Sequence, residues 1–301
     1  MHFFIPPTVP KRIRFASLLI ALGLGSVAQP AFGQAFLSRT MQLDSAVMER
    51  TGMSIAGEAE QLARFRQYEL ALPRAELATQ LAPKSYQTWA ILGSLYLQTD
   101  ELEKGVKALQ QARSLNPESA AILFALGAAR FQQENYAAAV EELSAGLKLK
   151  PNVPGALFDL GNAYYKLNQF EEALAQYEKA FAQEKNFWPA INNIGLVKYE
   201  RGDIEAAMEQ WRAALAIDGK AAEPKLALAV ALYSKGEREQ GLAMGEAALK
   251  LDIRYADLEF LKENLWGARL LADTQKFLQT PRIQATLAQN RDPSQPEKPS
   301  P

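Results

Sequence analysis

Small residues recur in this chain every thirty-four positions, and that period constrains the fold more than any other feature. Counting outward from Gly161, the same place is held by Ala59, Gly93, Gly127, Gly195 and Ala229. A second ladder runs Ala71, Gly105, Ala139, Ala173, Ala207 and Gly241, and a third runs Ala78, Ala112, Gly146, Ala180, Ala214 and Ala248. Around them, apolar or small residues recur at spacings of three and four, as in Leu157, Leu160, Gly161 and Tyr164, then Phe170, Ala173, Leu174, Tyr177 and Ala180. That spacing is the mark of a helix face. A polar break at Asn168-Gln169 separates the two runs, so the period predicts a helical hairpin whose backbones meet at the small residues. Pro83, Pro117 and Pro151 end three linkers at the same period, because the residue before a proline is pushed out of the helical region. One hairpin cannot bury its own apolar face, whereas a stack of them can. Six units follow: 52–85, 86–119, 120–153, 154–187, 188–221 and 222–255.

With Trp89, Leu92-Gly93, Tyr96, Leu109, Ala112 and Pro117 in one unit, the pattern resembles the tetratricopeptide repeat family over about two thirds of the chain. The resemblance implies an all-α fold, a right-handed α-solenoid of helix-turn-helix repeats closed by a C-terminal capping helix. It also implies a binding module rather than an enzyme. Departures fall in the end units: Glu58 stands where the family has leucine, Lys225 where it has a large apolar residue, and Gly245 where it has an aromatic. Those units are expected to be distorted or to act as caps.

Composition narrows the chemistry. Cysteine is absent, which removes disulfides, thiolate nucleophiles, cysteine metal sites and a lipoprotein anchor. The one histidine, His2, precedes a segment with the grammar of a removable leader, so Ser-His-Asp catalysis and the common zinc sites lack their residues. Acidic residues such as Glu141-Glu142, Glu171-Glu172 and Glu205 fall on outward helix faces, where a solvated role is the ordinary one. Charges balance to a formal net of -1, and no basic face calls for nucleic acid. No cofactor and no metal are expected.

The ends of the chain differ from its middle. Lys11, Arg12 and Arg14 precede the apolar run 15–28, after which small residues surround Gly33, the order found in an export signal. Residues 1–33 are therefore a signal peptide or a membrane anchor, and both readings place the repeats beside a membrane in an exported or membrane-anchored compartment. Residues 34–51 are expected to cap the first repeat, with Asp44 starting a short helix. From Asp257, Leu258, Leu261, Leu265, Leu270 and Phe277 keep helical period, which predicts a helix over the open face of the last repeat, with Trp266 packed near Ala229. A short helix from Pro281 to Asn290 follows, then a proline-rich polar tail at 291–301 that lacks the apolar residues to fold.

In the resembled family the first helix of each unit lines a concave groove. Mapped by register, that groove has a row of aromatics, Phe131, Tyr165, Tyr199 and Tyr233, joined by Phe124 and Phe158 and by the carboxamides of Asn162 and Asn192. Rigid rings with hydroxyl tips suit a peptide segment of a partner protein. The same positions carry aromatics in the family pattern, so a packing role stands beside the binding one. A clamp for a chaperone's C-terminal carboxylate matches at Asn162 and Asn193, but Phe158, Glu223 and Ala227 replace its three cations. A buried carboxylate there would be left unpaired, which argues against that ligand.

Leader, repeats and the Asp257–Phe277 cap with Pro281-Arg282-Ile283-Gln284 together are similar to Pitt-like tetratricopeptide proteins of cyanobacterial and plastid thylakoids. That resemblance implies a scaffold for a membrane-associated complex, with protochlorophyllide oxidoreductase or photosystem assembly components as candidate partners. A self-associating envelope or secretion scaffold, its concave face held by the leader or a second copy, is the alternative.

Overall fold

A computed structural model of the protein describes residues 44–290, and among these every regular element is helical. The leader at 1–33, most of the expected capping segment and the tail at 291–301 lie outside the described residues. Six antiparallel helix pairs run in order. They are α1 Ser45–Arg64 with α2 Tyr68–Leu81, α3 Tyr86–Gln98 with α4 Leu102–Leu115, and α5 Ala120–Gln132 with α6 Tyr136–Leu149. Next come α7 Pro154–Lys166 with α8 Phe170–Gln183, α9 Trp188–Glu200 with α10 Ile204–Ile217, and α11 Ala222–Ser234 with α12 Arg238–Leu251. Each helix packs chiefly on its hairpin partner and on the helix that follows, which is the nearest-neighbour packing of a solenoid.

The turn inside each hairpin is the same object six times. Its central residue has positive φ at Arg66, Asp100, Glu134, Asn168, Gly202 and Gly236, again at a period of thirty-four. The next residue donates its backbone N–H to the carbonyl five positions back, as Gln169 does to Tyr164 at 2.9 Å and Asp203 to Lys198 at 2.9 Å. The positive-φ residue itself bonds three back, Asn168 to Tyr165 at 2.9 Å. This paired closure satisfies two carbonyls that a helix end leaves free. Only two of the six positions are glycine, so the tertiary closure holds four other side chains in the left-handed region.

Small residues do what their period requires. A Cβ added at Gly93 or Gly127 would lie 2.6 or 2.5 Å from Leu109 or Leu143, and one at Gly161 or Gly195 would lie 2.5 Å from the Tyr177 or Trp211 ring. In every case the large residue comes from the second helix of the same unit and is buried against the first. Gly161→Leu is therefore expected to lower stability by about 1 to 3 kcal/mol or more through overpacking against Tyr177. Thermal unfolding checks it, and an unchanged midpoint would remove the glycine contact from the account.

Two end segments depart from expectation. Asp44 does start a helix, accepting from the Ala46 N–H at 2.9 Å, but that helix runs without a break into the first repeat, so 45–51 extend α1 and form no separate cap. The C-terminal segment is broken where its apolar period reads as continuous. A short 3-10 turn Ile253–Ala256 and α13 Leu258–Glu263 come first, Leu265 then takes positive φ, and α14 Ala268–Leu278 and α15 Pro281–Asn290 follow. The break lets α14 change direction, so it crosses α9 and α11, while α15 packs on α12.

Candidate functional site

The first helices of the repeats share one face, and its two halves differ. In the first three repeats α1, α3 and α5 border an open groove of about 680 Å³. Its wall follows the family register: Met53, Gln87 and Ala121 from the second position of each first helix, Ala56 and Ala90 from the fifth, Glu60 and Ser94 from the ninth, Ala63 from the twelfth. Small side chains make up much of the lining, with Tyr86, Ile91, Leu95, Leu109 and Ile122 adding larger apolar surface. Its charges are Glu60 and Arg64, which pair with each other at 2.8 Å, leaving the groove close to neutral.

In the last two repeats that face is covered by the chain itself. Tyr199 in α9 donates its hydroxyl to Asp273 Oδ2 of α14 at 2.9 Å. Glu200 accepts from the backbone N–H groups of Arg269 and Leu270 at 3.1 and 3.0 Å, and so caps the first turn of α14 with an acidic group where the helix end carries positive potential. Trp266, 2% exposed, donates its indole N–H to Glu223 Oε1 of α11 at 3.1 Å. The Tyr233 ring meets Phe277 of α14 edge-on, with centroids 5.4 Å apart.

Of the aromatics expected along the groove, Tyr165 and Tyr199 are buried and the other four are half-buried. Tyr199 is fully buried and Tyr165 is 8% exposed, packed on Phe170 at 5.8 Å. Tyr233 is half-buried beneath α14. Phe131 is half-buried and leans on Tyr136, the first residue of its own second helix, at 5.2 Å. Phe124 fills the space above Gly146, and Phe158 packs between Tyr177 and Phe187. The reason is geometric. A twelfth-position side chain meets the small residue eight places on in its own hairpin, as Leu97 meets Gly105, so its ring is held in the seam between helices.

The polar candidates come together in one network. Asn162 Oδ1 accepts from the Tyr177 hydroxyl at 2.8 Å and from Asn193 Nδ2 at 3.0 Å, and Asn193 Oδ1 accepts from Asn192 Nδ2 at 3.1 Å. The Trp211 indole donates to the Asn192 carbonyl at 3.2 Å. Asn192 is 1% exposed, and its Oδ1 is the buried side-chain atom among the described residues that has no hydrogen-bond partner. Beside it, burial pushes the Glu223 carboxyl up to about 7, against the opposing bonds from Trp266 and Asn192. Burial likewise pushes Asp159 up to about 6. Asn162 and Asn193, which match a carboxylate clamp, are thus bonded to one another, to Tyr177 and to Asn192. The groove-lining alanines and serine follow from register alone, whereas Tyr165 and Tyr199, which gave the louder signal, are buried.

Comparison with known proteins agrees with this architecture. Tetratricopeptide repeat profiles match residues 92–156 and 130–194, and a TPR repeat profile matches 195–236. The chain belongs to the tetratricopeptide repeat family. No curated protein matches it by sequence. Among solved structures, PilW, a type IV pilus biogenesis factor, is 22% identical with a TM-score of 0.62 over 71% of this chain and 98% of its own. PilF of Pseudomonas aeruginosa is 17% identical with a TM-score of 0.61 over 73% and 99%. MamA is 22% identical with a TM-score of 0.52 over 59% and 95%. At these identities the likeness speaks for the fold. None of the comparisons supports the resemblance to Pitt-like thylakoid proteins. Among the described residues no helix is long and apolar enough to cross a membrane.

Proposed function

We propose that this protein is a non-enzymatic interaction scaffold that holds a segment of a partner protein in the groove of its first three repeats. The observation that carries the reading is the contrast along one face: among the described residues α14 covers α9 and α11, while the groove of α1, α3 and α5 is open. Contiguous apolar concavity of this kind is where proteins bind one another. The residues that most chemistry at neutral pH relies on, histidine and cysteine, are missing after His2.

The test places arginine on the groove wall. Ala121 is exposed and Ala90 half-exposed, so Ala90→Arg with Ala121→Arg adds bulk and charge with little effect on packing. Capture of the natural partner by crosslinking from the groove is expected to fall at least tenfold with unchanged thermal unfolding. Capture at full strength would refute the groove. The narrower reading, a scaffold for a photosynthetic or chlorophyll-pathway complex beside a membrane, is tested in the same experiment by probing the captured material for protochlorophyllide oxidoreductase and photosystem subunits.

Self-association is the second reading, and one observation favours it. Leu70 and Leu77 of α2 are exposed at 52% and 44%, at convex positions where the later repeats carry alanine, glutamine, lysine or glutamate. Sedimentation at nanomolar concentration separates the readings, because a constitutive oligomer persists there and a partner-binding monomer does not.

A further inference from the structure

The open groove also constrains the backbone of whatever fills it. Resting on the reading that partners bind there, we infer that the occupant is an amphipathic α-helix of the partner protein, with large apolar anchors seven residues apart, and not an extended strand. An extended segment brings an N–H and a C=O at every residue, and each needs a partner once water is displaced. The groove has few to offer. The helix backbones that form it spend their own groups internally, and its lining includes Ala56, Ala90, Ala121 and Ala125. Of the polar side chains, Gln87 Oε1 already accepts from Ser85 at 2.8 Å and Glu60 and Arg64 hold each other, which leaves Tyr86, Ser94, Gln98, Ser119 and the Gln87 amide N–H against two groups for every residue of an extended segment. The carboxamides able to clamp an extended backbone, Asn162, Asn192 and Asn193, lie farther along the face and are bonded to one another. A helix arrives with its backbone satisfied and asks only for space and apolar contact.

The same face shows such an occupant farther along. α14 crosses α9 and α11 as an amphipathic helix, and its two least exposed large side chains, Leu270 and Phe277, are seven residues apart. Seven residues advance a helix by about 10.5 Å. Adjacent packed helices stand about 8–10 Å apart, so a helix lying across them presents one anchor to each. In the open half Ala56 and Ala90 are smaller than Leu226 at the matching position under α14, and Ala63 is smaller than Tyr199 at its own, which leaves depth for leucine, phenylalanine or methionine anchors. Its near-neutral wall selects an apolar, uncharged contact face.

Two peptide display libraries on the immobilised full chain test this. One presents a stable helix with its apolar face randomised, the other presents linear twelve-residue segments. The expected result is enrichment from the helical library of binders with large apolar residues at a spacing of seven. Ala90→Arg with Ala121→Arg should weaken them at least tenfold, and so should a proline placed between the anchors. Groove-sensitive binders arising from the linear library alone would overturn the helical occupant and leave the groove as the partner site. Binders from neither library, or binders indifferent to the two arginines, would overturn both.

Discussion

Phe277→Ala is expected to destabilise the protein by about 3 to 5 kcal/mol, and Gly245→Leu in the same chain to recover part of that loss. In the second to fifth repeats one large side chain of the second helix, Leu109, Leu143, Tyr177 or Trp211, sits on the glycine of the first. The sixth repeat has Gly245 at the large position and Ala229 at the small one. Phe277 from α14 fills the vacancy, fully buried, so a Cβ built on Gly245 runs into its ring. Removing the ring leaves a cavity and frees α14 from α11. Gly245→Leu alone overpacks and should lower stability by about 1 to 3 kcal/mol. Together the two changes put a leucine at the large position within the hairpin, opposite Ala229 where repeats two and three have glycine, so the seam is refilled only in part. Urea unfolding of the four proteins is expected to show a favourable coupling above about 1 kcal/mol. Strict additivity would mean that Phe277 does not complete the sixth repeat.

Gly245 was visible in the sequence as a missing aromatic, but nothing local could say what replaced it. That division holds across the molecule. The hairpins were legible because each is specified within thirty-four residues and repeated six times: the ladder of Ala59 to Ala229 fixes which helix faces meet, and Pro83, Pro117 and Pro151 directly follow the helix C-caps. Groove register was legible for the same reason. The course of the C-terminal segment was not, since Leu258, Leu261, Leu265 and Leu270 keep helical period through a break. Asn264 and Gly267 were the signal for that break, being residue types that end helices. Two members of the aromatic ladder could not be placed from sequence, because a helical angle cannot tell an outward direction from one toward the chain's own second helix. Tyr165 and Tyr199 take the inward course, against Phe170 and Trp211. A contact such as Tyr199 to Asp273 joins residues 74 apart and lies beyond any repeat period.

The Glu223–Trp266 contact carries the second large effect, a loss of stability as pH rises. Glu223 sits in the first turn of α11, where the helix end favours a charged carboxylate by about 0.3–1 kcal/mol. Burial outweighs that and pushes the group from 4.5 to about 7. The folded protein therefore holds this proton between those values and the unfolded chain does not. Stability is full below about 4.5, falls as pH rises through the window and levels off above about 7. Allowing for the part of the residue that water reaches, the loss is about 2 kcal/mol. Asp159, raised from 3.8 to about 6, contributes with the same sign at lower pH, so the stretch nearest neutrality belongs to Glu223. Glu223→Gln keeps an acceptor for the Trp266 indole and adds an N–H donor beside the Asn192 oxygen that lacks a partner. Urea unfolding of both proteins between about pH 5 and pH 8 should then show the variant holding its stability near and above neutrality, with the Asp159 slope retained below about pH 6. An unchanged slope in the variant would show that Glu223 is already charged in the folded protein, and that Trp266 is held over α11 by packing without a protonated partner.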